Sequence, residues 1–214
     1  MRFPNALKAV KKLFIAEIIS IAAALVAVTS AILLAIPNTG LTGAGLALGG
    51  AIAMIAVFVL QLIAMIQGGK DAEGFRTALW VTLIAIAVSI TSAVLQSIEA
   101  TKGLTILISV MEAFVSVAGV LVIYIVLQTI AGLAKSLKDN ELADKGNRLA
   151  TYIVLLFAIS ILLGLVPSFF YKTQLPDFVT VLFTIFGIVA AVIELLIYIN
   201  ILIFLRRAIR TLKK

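Results

Sequence analysis

The side chains able to do chemistry in this chain are carboxylates, amides and hydroxyls, because it holds neither cysteine nor histidine. Thiolate and imidazole chemistry, disulfides and the usual zinc sites are thereby excluded. Three carboxylates, Glu17, Glu112 and Glu194, stand inside long apolar stretches, and no Lys or Arg lies deep enough to pair with them. Around Glu112, Thr105, Ser109, Ser116 and Gly119 recur at four- and three-residue steps and make one polar stripe on a helix. The preceding apolar stretch carries a second stripe, Thr82, Ser89, Ser92, Gln96 and Glu99. Two such helices joined by a short connection would be neighbours. Their stripes would line a polar cleft open to the external side, with Glu99 and Glu112 as its acidic groups, a candidate site for a small neutral or cationic molecule or an ion. Ser and Thr also satisfy their own helix backbone, so inert packing is the alternative.

Glu194 sits about 16 residues into its stretch, ~24 Å at helical rise. Gly187, Ala190, Ala191 and Tyr198 share its face. It is a candidate proton or cation site, the alternative being a neutral Glu hydrogen-bonded to a neighbouring helix. Glu17 lies near the end of its stretch and reads as an interfacial group that reaches water or the nearby lysines.

The elements that must position these groups are transmembrane helices. The chain is 63% hydrophobic and 13% charged, about half the charge of an ordinary soluble domain. A soluble fold of this length could not hide so much apolar surface. The fold expected is all-α: one polytopic membrane domain, residues 1–214, with six transmembrane helices in a compact bundle. The apolar runs are Leu13–Ile36, Gly43–Gln67, Ala78–Ile98, Leu104–Ala134, Leu149–Phe170 and Phe178–Leu205, each long enough to cross a hydrocarbon core of about 30 Å. Gly, Pro, Asn and Asp punctuate the connections, of which the charged segment Lys135–Arg148 is the longest.

In this arrangement fifteen of the 17 Lys and Arg residues fall on one side, and only Lys102 and Lys172 on the other. The positive-inside rule then places both termini in the cytoplasm, and short loops fit a plasma (bacterial inner) membrane. A cleaved signal peptide ending near Thr29-Ser30-Ala31 is disfavoured, because the first apolar run continues to Ile36. In so apolar a chain the net charge of +7 points to anionic lipid headgroups rather than to nucleic acid. Both ends read as amphipathic surface helices, with plain stop-transfer charge as the alternative: Phe3, Ala6, Leu7 and Val10 opposite Lys8, Lys11 and Lys12, then Leu205, Ile209 and Leu212 among five basic residues.

The chain also resembles itself. Val26–Leu33 matches Val88–Leu95, Leu60–Ala64 matches Leu127–Ala131, Arg76-Thr77-Ala78 matches Arg148-Leu149-Ala150, and Ile123-Tyr124-Ile125 matches Ile197-Tyr198-Ile199. All four matches are in phase with one helical hairpin repeated three times in the same orientation. Chance likeness between apolar segments is the alternative. Small-residue rows supply contact faces for helix packing, or docking faces for a membrane-protein partner or a second copy. They are Ala23, Ala27, Ala31 and Ala35, then Gly45, Gly49 and Ala53, then Ala85, Ser89 and Ala93. No nucleophile–base pair or glycine-rich phosphate loop is present, so neither catalysis nor a cofactor is expected. In size, span number and alanine ridge the chain resembles, in general terms, the substrate-capturing subunits of energy-coupling-factor vitamin transporters. The functional expectation is transport or solute binding, with a non-catalytic scaffold or accessory subunit as the alternative.

Overall fold

The computed structural model describes residues 2–36, 40–97, 102–169 and 177–213, and in these the chain is helical. Six helices follow in order: α1 Pro4–Ala35, α2 Gly40–Gly68, α3 Glu73–Gln96, α4 Lys102–Ser136, α5 Asn140–Phe169 and α6 Asp177–Lys213. By length and apolarity α1 to α4 can each cross a membrane, and in their most apolar stretches no more than 11% of the residues are buried inside the protein. Surface that apolar and that uncovered is compatible with lipid as its solvent.

The helices overrun the apolar runs. α1 begins at Pro4, whose fixed φ and missing N–H suit the first helical position, and not at Leu13. It stops at Ile36, which is extended (φ −89°, ψ 130°), as befits a residue before proline. α5 begins at Asn140 rather than Leu149, so most of the charged segment Lys135–Arg148 is helix and not connection.

The α4–α5 turn has only three residues, 137–139. Lys138 adopts the left-handed conformation (φ 62°). The Asp139 N–H then donates to the Ala134 carbonyl and the Lys138 N–H to the Lys135 carbonyl, closing a Schellman motif. Asp139 caps α5 through Oδ1, which accepts from the Leu142 N–H at 3.1 Å. A side chain in the left-handed region costs about 1 kcal/mol. Lys138→Gly is therefore expected to raise stability by about that much in a detergent melt; a loss would mean that the lysine side chain holds the turn.

The chain divides into two compact units, Met1–Arg76 with Leu205–Lys214, and Thr77–Phe204. In the first, α1 packs along α2. The contact uses Ala23 and Ser30 of α1, both buried, and Gly43 and Gly50 of α2. The Ser30 hydroxyl donates to the Gly43 carbonyl at 2.7 Å. A Cβ on Gly43 would lie 2.9 Å from the Leu34 side chain. The expected row Gly45, Gly49 and Ala53 is not the contact face: around both glycines a Cβ would meet nothing within 4 Å.

The amphipathic ends also differ from the surface helices expected of them. Ala6, Leu7, Ala9 and Val10 are buried in protein, as are Leu205, Ala208 and Leu212. Each set forms one helical stripe, and Lys8, Lys11, Arg206 and Arg210 face outward.

In the second unit α4 packs on α5; Leu127, Ile130, Ala131 and Ala134 of α4 and Leu142, Ala143 and Ala150 of α5 are buried. Gly146 lets the elements approach closely: a Cβ there would stand 2.8 Å from the Phe204 ring and 2.9 Å from Ala131 Cβ.

Candidate functional site

Among the described residues the two polar stripes meet at Gln96 and Glu112. Gln96, the last residue of α3, donates from Nε2 to Glu112 Oε1 at 2.9 Å. Glu112 lies ten residues into α4, ~15 Å at helical rise, so the end of α3 stands beside the third turn of α4 and not beside its start. Both side chains are exposed on the protein. In a membrane, an exposed carboxylate bonded to a neutral amide still needs water, a proton or a further partner.

The hydroxyls behave differently from one another. Ser109 donates to the Thr105 carbonyl at 3.0 Å and Ser116 to the Glu112 carbonyl at 3.1 Å. Thr82 likewise bonds back to Ala78 at 2.8 Å. These three are satisfied within their own helices, and Ser109 and Ser116 remain exposed. Ser92 is the exception. It is only 4% exposed, and its hydroxyl is buried without a hydrogen-bond partner among the described residues. Such a group costs about 1–3 kcal/mol, and it lies one turn along α3 from Gln96. Glu99 falls outside the described residues, and so does the side chain of Glu194.

Glu17 is half-buried, and Gln61 of α2 donates to it from Nε2 at 3.5 Å, a long contact. It is thus turned toward α2 rather than only toward water. Between α1 and α2 there is also a cavity of about 540 Å³, walled by small residues such as Ala24, Ala27, Ala31 and Ala51. No group of three or more acidic, His or Cys side chains that could hold a metal occurs among the described residues.

Asp71 makes a tertiary site that the sequence does not announce. It sits in the turn between α2 and α3, and its carboxylate crosses to the start of α1. Oδ2 accepts the backbone N–H groups of Asn5 (2.7 Å) and Ala6 (2.8 Å), and Oδ1 accepts from Asn5 Nδ2 at 2.9 Å. The α1 N-terminus has no side-chain cap of its own at Phe3. Asp71 thus supplies that cap from 66 residues away, a negative charge at the positive end of the helix dipole. Burial pushes its carboxyl up, but the Ala6 N–H and the two Asn5 donors together outweigh that and hold it below the usual carboxylate range. An isolated Asp in a loop reads as surface charge; only the fold shows what it faces.

No family model matches the chain, and no curated protein or solved structure is significantly similar to it.

Proposed function

We propose that this chain is a six-span protein of the plasma membrane with both termini cytoplasmic, and that it binds or passes a small neutral or cationic solute at the α3–α4 hairpin. The Gln96–Glu112 bond carries the reading, because it joins the two stripes at an acidic group that no cation neutralises in the described structure. Ser92, with its buried, unpartnered hydroxyl, lies one turn further along. α5 and α6 complete the six spans through their apolar runs, and the one-sided distribution of Lys and Arg supports both the count and the direction. Nothing in this mechanism requires a cofactor or a catalytic step.

Matched positions give some weight to a triplicated hairpin. Ser30 and Ser92 correspond and are both buried; so do Ala64 and Ala131, and Ala78 and Ala150. Thr29 and Thr91 each bond the carbonyl four residues back.

A second reading rests on the open glycines. Gly45, Gly49, Gly119 and Gly132 have free space where a Cβ would stand, and Gly119 continues the face of Glu112 and Ser116. A partner's membrane helix, or a second copy of the chain, could close on such a face.

Single cysteines at Ser92, Gln96, Ser109, Glu112 and Ser116 separate the two readings, since the chain has no cysteine of its own. An impermeant thiol reagent applied from outside is expected to label positions 112 and 116 as well as 96 and 109. Solute that protects these positions is expected to lose its effect in Glu112→Gln. Labelling confined to 96 and 109 would replace the solute site with a docking face.

A further inference from the structure

A second cleft, of about 550 Å³, lies between α5 and α6 within Thr77–Phe204. Its two walls are unlike. On α5, Glu141, Asp144, Lys145 and Arg148 follow one another along one side, and Tyr152 comes a turn later. On α6 the wall is apolar, Ile193 and Ile197, and ends in Asn200. We propose that this cleft binds one phospholipid whose headgroup carries both a phosphate and a primary ammonium. Lys145 and Arg148 receive the phosphate, Glu141 and Asp144 the ammonium, and the isoleucines an acyl chain. The proposal rests on the reading of α5 and α6 as membrane helices.

The charges argue for a zwitterion. Two bases and two acids cancel, so an anionic headgroup would be attracted by one pair and repelled by the other. Glu141 and Lys145, and Asp144 and Arg148, stand four apart on one helix, the spacing at which opposite charges pair. Yet Asp144, Lys145 and Arg148 make no ion pair among the described residues. Their charges are left to face the cleft. A primary ammonium also offers N–H donors to the two carboxylates, whereas a trimethylated one offers none.

The register argues for a lipid rather than a soluble phosphoamine. Gly146 against Phe204 brings the start of α5 level with the end of the apolar run of α6. The charged residues therefore precede the apolar run that begins at Leu149, and the wall from Asn200 to Ile193 leads away from them into the apolar stretch. Tyr152 stands half-exposed between the two regions, the depth at which aromatic residues meet headgroups. A polar ligand has no use for that wall. The volume lies within the range of about 300–1,000 Å³ typical of small-ligand sites.

The test is native mass spectrometry of the full chain in mild non-ionic detergent. Phosphatidylethanolamine, phosphatidylcholine, phosphatidylglycerol or free phosphoethanolamine is added in turn. The wild type is expected to retain phosphatidylethanolamine about tenfold better than either other lipid, a difference of ~1.4 kcal/mol. Lys145→Gln with Arg148→Gln should abolish retention, and Glu141→Gln with Asp144→Asn should abolish the preference over phosphatidylglycerol; unchanged melts would show that both variants remain folded. Equal retention of all three lipids, preference for phosphatidylglycerol, or no effect of either variant overturns the proposal. Displacement of the lipid by free phosphoethanolamine also overturns it and assigns the cleft to a soluble ligand. Alkaline carbonate extraction checks the underlying reading separately: release of the chain from membranes would remove the membrane assignment itself, whereas the lipid outcomes bear on the cleft alone.

Discussion

Gly68→Ala is expected to destabilise the protein by about 2 kcal/mol, although alanine is the better helix former. A Cβ at this position would lie 2.6 Å from two ring carbons of Phe75, one of them the ring's attachment carbon, and 3.0 Å from Ala9 Cβ. Phe75 and Ala9 are both fully buried, so neither can move aside without disturbing the start of α1 or the start of α3. Overpacking of this kind costs about 1–3 kcal/mol. The intrinsic gain of alanine over glycine in a helix, about 1 kcal/mol, offsets only part of it. Gly45→Ala and Gly49→Ala provide the control, since they make the same change on the same helix in open space. Both are expected to leave the melting temperature unchanged or raise it slightly. Thermal unfolding in detergent, followed by circular dichroism, reads all three. Equal melting temperatures for Gly68→Ala and the controls would show that the α1–α2–α3 junction is looser than its geometry.

The second large effect belongs to Asp71. Asp71→Ala removes the acceptor for two backbone N–H groups and one amide N–H at the start of α1. Hydrogen bonds to a charged acceptor contribute about 1.5–3 kcal/mol, and capping about 1 kcal/mol. The combined loss expected is about 2 kcal/mol, because water replaces part of what is removed. The contribution must depend on pH. The carboxyl is held below its ordinary range in the folded protein, so the folded state favours the ionised form. The stabilisation is full above the ordinary carboxylate pKa and falls away as the pH drops through the lowered one. Wild-type stability should therefore decline on the acid side of that ordinary range, and Asp71→Asn should show a shallower decline from a lower plateau. Parallel acid limbs in the two proteins would mean that other carboxylates dominate there. At neutral pH the variant should also fray at the N-terminus of α1, visible as faster amide exchange at Asn5 and Ala6.

These two positions show where reading the chain alone stops. Gly68 and Asp71 lie in a short polar segment whose composition announces a turn, and nothing in their neighbours names Ala9 or Asn5 as the groups they meet.

The composition and the order of residues were enough for the helical class, for the length and apolarity that let α1 to α4 cross a membrane, and for the approximate position of each helix. Apolar runs and proline or glycine punctuation act locally, so they can be read along the chain. The helix ends were less legible. Lys138 makes a left-handed cap without glycine, and α5 starts nine residues before its apolar run because Asp139 caps it and Leu142 and Ala143 pack against protein. Which face of a helix turns inward was decided only by the tertiary structure. In α2 the rows Gly43–Gly50 and Gly45–Gly49 are equally small, and no difference in hydrophobicity separates them in a lipid solvent, so the choice falls to the shape of α1 and to the Ser30–Gly43 bond. The stripes around Glu112 were visible as helical spacing, but their meeting at Gln96 depends on how far α4 runs past the end of α3. The cap at α1 depends on a contact between residues 66 apart. Periodicity reports what one helix presents; only packing selects what it meets.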